Sequence, residues 1–484
     1  MIARSRPLHL HSLSWGSPVV AAPLAILVGG AAGIGVVLGS PVAALATAAG
    51  LVVVVVVARS VRAGLLTLVA VASLLPYGVI PVRVGVQLTF VDGLLISIFG
   101  GWVVHHVLRE GRTELTPVGR LLVAYVAVAV AALLVGMAYA PLTGPVVRSF
   151  LKYVAAILVF VPVVNVIRER GQLWMLARAL MLGGALAAVV GLAIHAQPTT
   201  RIVDVLSSLS VVGYPAGREV LRYLPGPNNT YSDVLRATGT PIDPNVFGGL
   251  LMLAGALTLA QLFAPRPVLP RWLLLPMLLL MAWAMVLSQS RSSWLSLAAA
   301  GAYLATVRDR RLWLLGLAGG AGLAALPVGR AMLERLASGF AARDRAAALR
   351  VDEYRQALQI IRDYPVLGVG FGGAPELGTF VGVSSIYLLV GEHTGLVGLG
   401  LLLATFATLA VVSTRALLRA RDPYDRAMIA TFQAPLVAAL VAGLFDHYFM
   451  NPQFPHMVAL LWLYAGLLAA ASRLVTDPAS DAGL

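Results

Sequence analysis

The chain has 484 residues, of which 59% are hydrophobic and 12% charged, and its mean hydropathy is +0.88. A soluble chain is about a quarter charged, so this composition indicates a polytopic membrane protein and argues against a soluble domain. The sequence has no cysteine, which excludes disulfides and thiolate chemistry, and its net charge of +14 lies mostly in short loops, which argues against nucleic-acid binding.

Long apolar runs are the main secondary-structure signal along the chain. A membrane-spanning helix needs about 20 apolar residues, and this length predicts an all-α integral membrane protein with about 12–14 transmembrane helices. The predicted spans begin near Val19, Val42, Gly64, Gly93, Leu121, Ser149, Ala177, Asn245, Trp272, Ser293, Trp313, Ser385, Ala427 and Val458.

The short connections alternate in charge, which predicts the orientation in the membrane. Arginines concentrate in the connections on one side, so the positive-inside rule predicts that this side and both termini are cytoplasmic. Two long loops then lie outside the cytoplasm. The chain divides into N-terminal spans (1–196), a first extracytoplasmic loop (197–244), central spans (245–329), a second extracytoplasmic loop (330–384) and C-terminal spans (385–484).

The second loop combines a helical segment with a glycine-rich turn. Between Val328 and Asp363 helix-forming residues dominate, which predicts an amphipathic helix on the outer membrane face that Pro365 ends. Gly368, Gly370, Gly372 and Gly373 lie in the turn that follows. Two interpretations stay open: the glycines allow close packing of a hairpin, or their exposed N–H groups hold an anion.

Four motifs follow one another in the predicted outer segments. Each contains an arginine, an aromatic residue or a helix-starting turn, and three of the four also contain glycines. They are Arg236 with GTPIDPNVFGG (239–249), Ser290-Arg291-Ser292, Arg350-x-x-x-Tyr354 followed by Pro365-Val366-Leu367-Gly368-Val369-Gly370, and Tyr387-Leu388 followed by Thr394-Gly395-Leu396-Val397-Gly398.

In this order the motifs resemble the O-antigen ligase and O-antigen polymerase superfamily of bacterial envelope enzymes, over roughly residues 236–466. The resemblance implies a GT-C-like membrane glycosyltransferase at the outer face of the bacterial cytoplasmic membrane. Its donor would be an oligosaccharide on undecaprenyl diphosphate, and its partners would be that glycan and the lipid bilayer. Other polysaccharide-assembly proteins are further partner candidates. No cofactor, metal or nucleic acid is implied.

Without a metal, guanidinium groups must neutralise the departing diphosphate, because their planar fork binds phosphate oxygens bidentately and stays charged. Arg291 is the first candidate because it lies at a membrane-surface turn; Arg236, Arg350 and Arg355 come next. The alternative for Arg291 is an anchor that reaches the membrane surface. For the other three arginines, the alternative is a surface ion pair.

The chain differs from the ligases at the position of the presumed general base. The ligase pattern is H-N-x-Y-L, and the aligned residues here begin with Ser384. The missing histidine favours polymerisation of repeat units over ligase-type transfer of a whole glycan. His393 and Asp243 are the catalytic candidates, with helix packing and helix capping as their alternatives. Tyr354, Tyr387 and Tyr231 are candidates for stacking on sugars, or for anchoring loops.

A membrane transporter or flippase is the alternative from a different class. Coupled transporters place acidic residues or histidines near the membrane midplane, and many are built from inverted repeats with broken helices. The predicted spans are almost free of acidic residues, with Asp92, Asp243 and Asp446 at helix ends, and no inverted repeat is evident. Both observations favour an enzyme.

Overall fold

The structure is a computed structural model that describes residues 60–80, 88–104, 113–225, 231–308, 310–341, 345–373 and 382–476. The predicted spans near Val19 and Val42, and the two chain termini, lie outside the described residues.

The described residues are almost entirely helical. A short antiparallel hairpin of β1 (Tyr223–Pro225) and β2 (Tyr231–Leu235) lies in the first long loop. The helices are α1 Val61–Leu74, α2 Phe90–Trp102, α3 Pro117–Val135, α4 Gly144–Leu158, α5 Phe160–Val166, α6 Arg170–His195, α7 Thr199–Ser208, α8 Pro244–Leu262, α9 Arg271–Ser288, α10 Arg291–Val307, α11 Arg311–Ala325, α12 Pro327–Phe340, α13 Arg345–Asp363, α14 Ile386–Arg419, α15 Pro423–Ala442 and α16 Pro455–Thr476.

Eight helical segments of the described chain are long and apolar enough to cross a membrane. The prediction of an all-α integral membrane protein is therefore confirmed. α1 and α2 are shorter apolar helices. Large apolar side chains face outward on α9, where Trp272 is 76% exposed and Leu279 60% exposed. Such a surface suits contact with lipid tails, which are as apolar as leucine.

α16 is the centre of the bundle. Its residues are buried along almost the whole helix, and Trp462 packs its ring against Phe406 at 5.3 Å and Phe160 at 6.4 Å between centroids. A helix that is apolar on every face is stable only when protein or lipid surrounds it. The packed centre of the described chain therefore forms around α16.

One end of the bundle collects the arginine-rich connections. Arg170 pairs with Asp425 at 3.0 Å, and Arg473 pairs with Glu114 at 3.0 Å. These contacts join the start of α6 to the start of α15, and the end of α16 to the segment before α3. Connections far apart in the chain thus share one end, as the predicted topology requires. The long loops lie at the other end.

α14 is broken at Gly395, whose φ of 64° and ψ of −169° are not helical. The turn after α13 fills this break. The N–H of Val369 donates to the carbonyl of Glu392 at 2.8 Å, and the N–H of Gly370 donates to that of His393 at 3.1 Å. The N–H of Gly368 donates to the carbonyl of Tyr364 at 3.2 Å. These amides are used inside the protein, so Gly368 and Gly370 serve close packing and do not hold an anion.

The second long loop differs from its predicted form. The sequence predicts one helix from Val328 to Asp363, whereas the structure has two helices, α12 and α13, with residues 342–344 outside the described part. α13 ends at Asp363, two residues before Pro365, where the sequence predicts the end of the helix. Because it packs against the first half of α14, α13 holds its side chains at the loop end of the bundle.

Candidate functional site

Two neighbouring cavities lie at the loop end of the bundle. The larger, the polar cavity, has a volume of about 610 Å³, and its polar lining includes Asp243, Glu353, Ser384, His393 and His447. The smaller, the arginine cavity, has a volume of about 180 Å³ and is lined by Arg291, Ser292, Leu295, Leu336, Gly339, Arg350, Val351, Tyr354 and Phe445. The structure thus brings most of the predicted site residues together, but it distributes them between two cavities.

Arg291 and Arg350 reach the arginine cavity from different helices. Arg291 is the first residue of α10, and its Nη1 donates to the carbonyl oxygen of Arg335 in α12 at 3.3 Å. Gly339 packs directly against the Arg291 guanidinium, where a side chain would overlap it. Arg350 lies in α13, with its Nη2 3.7 Å from Oδ1 of Asp446. Both guanidinium groups are therefore held in place by protein contacts.

Asp446 links three elements behind the arginine cavity. It is 5% exposed, accepts a short hydrogen bond from Ser292 Oγ on Oδ2, and faces Arg350 with Oδ1. Burial raises the pKa of the Asp446 carboxyl above its ordinary value, against the opposing effects of Arg350 and Ser292. The carboxyl joins α10 and α13 to the loop before α16.

Arg236 supports the site from the side of the first long loop. Its Nε donates to the carbonyl of Ser288 at 2.9 Å, and its Nη2 donates to Oδ1 of Asn245 at 2.7 Å. Burial lowers the pKa of Arg236 to about 10, so it remains charged at neutral pH. Arg236 therefore connects the end of α9 to the start of α8.

His447 lies in the polar cavity in a defined tautomer. Asn451 accepts the N–H of Gln453 on Oδ1 at 2.8 Å, which orients its amide nitrogen towards Nδ1 of His447 at 3.0 Å. Because an amide nitrogen only donates, Nδ1 accepts, and the proton of the neutral ring is on Nε2. Burial lowers the pKa of His447, which favours this neutral form. His447 therefore presents an N–H donor.

The two predicted catalytic residues, His393 and Asp243, both line the polar cavity. The half-buried ring of His393 lies 4.7 Å from the ring of Phe371. Asp243 accepts the backbone N–H groups of Asn245 and Val246 on Oδ1, at 2.8 and 2.9 Å. Asp243 therefore caps α8, as its alternative interpretation states, and also contributes to the cavity wall.

The remaining predicted residues lie elsewhere or hold the loops together. Arg355 is exposed and pairs with Asp352 at 3.2 Å, so it points away from both cavities. The hydroxyl of Tyr387 donates to the carbonyl of Leu440 at 2.8 Å and joins α14 to α15. The hydroxyl of Tyr354 lies 2.7 Å from the carbonyl oxygen of Leu444, next to the arginine cavity. Tyr231 begins β2, and its side chain lies outside the described part.

Sequence reasoning missed one acidic residue of the site, Glu353, and one buried acidic residue of α14, Glu392. Glu353 lines the polar cavity and accepts two hydrogen bonds from Ser384. Glu392, next to His393 in α14, is fully buried, and its carboxyl has no hydrogen-bond partner among the described residues. The expectation that the spans are almost free of acidic residues overlooked Glu392. The signal that could have found Glu392 is a single carboxyl within the apolar run of α14, because an ionisable residue in a membrane span is a candidate functional residue.

The fold and the two cavities define a class of protein: a multi-pass, all-α membrane protein with a polar site and fixed arginines at one end of the bundle. Residues 276–404 match the O-antigen ligase family model. This match supports an O-antigen ligase/polymerase-like superfamily, whose members are glycosyltransferase-like enzymes. It confirms the resemblance, and three of the four motifs lie within the matched region. Arg291, Arg350, Glu353 and His393 lie within the matched region. No curated protein matches the chain.

Proposed function

We propose that the protein polymerises undecaprenyl-diphosphate-linked oligosaccharide repeat units into a polysaccharide. The observation that carries this proposal is the convergence of Arg291 and Arg350, from two helices, on one small cavity beside a larger polar cavity. In the proposal, the arginine cavity receives the diphosphate of the donor. The polar cavity receives the sugars that react, with His393 and Asp243 in its wall.

Held guanidinium groups suit a diphosphate leaving group. Each charge-assisted hydrogen bond contributes about 1.5–3 kcal/mol, so two arginines together supply about 3–6 kcal/mol. If they act on the transition state, this corresponds to a rate factor of about 10²–10⁴. The contacts of Arg291 with α12 and of Arg350 with Asp446 fix both groups before the charge develops, which is the condition for electrostatic catalysis.

Polymerisation is favoured over ligase-type transfer by the residue at the base position. Ser384 lies where the ligase pattern has histidine, and it faces the polar cavity. The cavity also offers hydroxyl, amide and imidazole groups, which suit hydrogen bonds to sugars, and about 610 Å³ of space.

Charge distribution supports an extracytoplasmic site. The arginine-rich connections share the opposite end of the bundle, around the pairs of Arg170 with Asp425 and Arg473 with Glu114. The positive-inside rule assigns that end to the cytoplasm. The two cavities then face outward, where the repeat units would meet the growing chain.

The test uses the full chain, purified and reconstituted in lipid nanodiscs, with lipid-diphosphate repeat units extracted from the source cells. We expect a ladder of glycan products and release of undecaprenyl diphosphate. Arg291→Gln and Arg350→Gln should each lower kcat/KM by about 10-fold to 100-fold. Arg355→Gln, the matched exposed arginine on α13, should leave it unchanged.

Other outcomes would overturn the proposal in distinct ways. Transfer of a single glycan block to an added lipid or protein acceptor would assign ligase-type activity. Movement of intact lipid-linked glycan across proteoliposome membranes, without any turnover, would assign a flippase. Equal loss of activity in Arg350→Gln and Arg355→Gln would remove the arginine cavity as the diphosphate site.

A further inference from the structure

Ser384, the residue in the position of the ligase histidine, is bound to a carboxylate from a different helix. Both its N–H and its Oγ donate to Oε2 of Glu353 in α13, at 3.1 and 2.8 Å. We propose that Glu353 is the catalytic base that accepts the proton of the acceptor hydroxyl, and that Ser384 is its positioning residue. This inference rests on the proposed function, because it assumes transfer to a hydroxyl group.

The carboxyl of Glu353 is anchored at one oxygen. Both hydrogen bonds from Ser384 end on Oε2, and neither uses Oε1. Glu353 is half-buried and lines the polar cavity, so it is accessible to a ligand bound there. A base needs a fixed position and a free lone pair within hydrogen-bond reach of the proton it removes. Anchoring at Oε2 provides the position and leaves Oε1 for the proton.

Glu353 and Arg350 lie on the same face of α13, three residues apart. This spacing is about 4.5 Å along a helix axis, or nearly one turn. Arg350 lines the arginine cavity, whereas Glu353 lines the polar cavity. In a direct displacement, the attacking hydroxyl and the departing diphosphate lie on opposite sides of the anomeric carbon. One turn of α13 therefore offers a cation to the leaving group and a base to the nucleophile.

The other candidates in the polar cavity are less suited to take the proton. His447 carries its proton on Nε2, and its Nδ1 accepts from Asn451. Asp243 already uses Oδ1 for two backbone amides of α8. The ring of His393 lies against Phe371. Glu353 combines an anchored oxygen with a second oxygen that those hydrogen bonds leave unused.

The proposed step balances without any further reactant. The oxygen of the acceptor hydroxyl bonds to the anomeric carbon of the donor sugar, and its proton passes to Oε1 of Glu353. The bond between the anomeric carbon and the diphosphate oxygen breaks, and its electron pair leaves with undecaprenyl diphosphate. Arg350 and Arg291 compensate the charge of that anion. Glu353 then releases its proton to water.

The decisive variant is Glu353→Gln, assayed on the full chain in nanodiscs with the lipid-diphosphate repeat unit. Glutamine can still accept the hydrogen bonds from Ser384, but it is not a base. We expect kcat to fall by about 10²–10⁴-fold, with KM for the donor changed by less than about 3-fold. Asp352→Asn is the matched control, because Asp352 is the neighbouring residue on α13 and is 63% exposed. Its kcat should equal that of the wild type.

A second readout separates a base from a structural residue. In Glu353→Ala, added formate should restore a measurable part of the rate, because a small carboxylate can enter the vacated space. A purely structural role gives no such rescue. If Glu353→Gln does not fold, Ser384→Ala replaces it, since this variant keeps the carboxylate but loses one anchor. It should lower kcat by about 10-fold.

The failure of this inference is distinguishable from the failure of the proposed function. Turnover by the wild type, with Glu353→Gln within about 3-fold of it, overturns the role of Glu353 and leaves the polymerase proposal in place. The same holds for Glu353→Ala that formate does not rescue. An unchanged kcat in Ser384→Ala overturns the positioning role of Ser384. A wild type without any turnover overturns the proposed function itself.

Discussion

The backbone of Gly395 lies directly against the carbonyl group of Val366, so a side chain on Gly395 would overlap that carbonyl. The contact exists because α14 breaks at this glycine and the turn after α13 enters the break. The N–H of Leu396 donates to the carbonyl of Pro365 at 2.7 Å and closes the junction. This junction fixes the backbone of His393 and the end of α13 relative to each other.

Gly395→Ala should therefore destabilise the protein. The residue has a positive φ of 64°, and the new methyl group would overlap a backbone carbonyl that has little freedom to move. Backbone strain of this kind costs about 1–3 kcal/mol before the overlap is counted. The measurement is the thermal unfolding midpoint of the detergent-purified protein. Gly400→Ala, in the same helix with open space around it, should leave the midpoint unchanged or slightly raised.

The pair of Arg350 and Asp446 allows a test of whether Arg350 does more than neutralise a buried carboxyl. Arg350→Gln leaves Asp446 without its cation and should lower both stability and turnover. Adding Asp446→Asn removes the unpaired charge, so the double variant should recover the unfolding midpoint. Its kcat/KM should stay low, because the diphosphate still lacks its guanidinium. Recovery of both quantities would show that Arg350 serves only Asp446.

Lys152, the only lysine of the sequence, pairs with the buried Asp92 at 2.7 Å between α4 and α2. Lys152→Met should lower the free energy of unfolding by about 3–5 kcal/mol, because it leaves an unpaired carboxylate. Lys152→Met with Asp92→Asn should recover part of this loss, since asparagine can still accept the N–H of Thr89. Chemical denaturation in mild detergent measures both effects.

The exposed ion pair of Arg355 and Asp352 is the comparison for the buried pair of Lys152 and Asp92. Arg355→Met removes the pair with Asp352, in which both side chains are more than half exposed. Exposed ion pairs contribute about 0–1 kcal/mol, so this variant should unfold within that range of the wild type. Equal losses for Lys152→Met and Arg355→Met would contradict the structural role of the buried pair.

His447 should make the stability of the protein depend on pH in the mildly acidic range. Burial lowers its pKa in the folded state, so its neutral form stabilises the fold at pH values above the ordinary histidine value of about 6.5. That contribution is lost as the pH falls below this value. Glutamine at position 447 cannot titrate. The wild type should therefore unfold at a higher temperature than His447→Gln by an amount that decreases as the pH falls from about 7.5 to about 5. A constant difference would contradict this account.

Part of the candidate site could be predicted from the sequence because it depends on local pattern. Arg291 and Arg350 belong to short motifs, and the structure places both in the arginine cavity. The motif resemblance indicates Asp243 and His393, and both line the polar cavity. Local pattern did not distinguish Arg350 from Arg355, because which face of α13 packs inward depends on the neighbouring helices.

Contacts between distant segments could not be predicted. Nothing near Ser384 in the sequence indicates that Glu353 holds it, and nothing near Arg236 indicates that it binds the end of α9. The sequence leaves two interpretations open for the glycines of the turn after α13, and only the backbone hydrogen bonds of this turn decide between them for Gly368 and Gly370. The contacts of this turn depend on the break in α14, which has no local signature beyond one glycine.

The sequence by itself determined the class of the protein, its arginine-rich connections and the motifs that resemble the O-antigen ligase/polymerase superfamily, because hydropathy, charge and short spacing are properties of continuous segments. Only the tertiary structure decided which residues meet. Ser292 and Asp446 are 154 positions apart and share a hydrogen bond, and Glu353 and Ser384 are 31 apart. Such pairings follow from how the helices pack. The packing of α13 places Glu353, the base candidate, at the polar cavity and Arg350, a candidate for binding the diphosphate, at the arginine cavity.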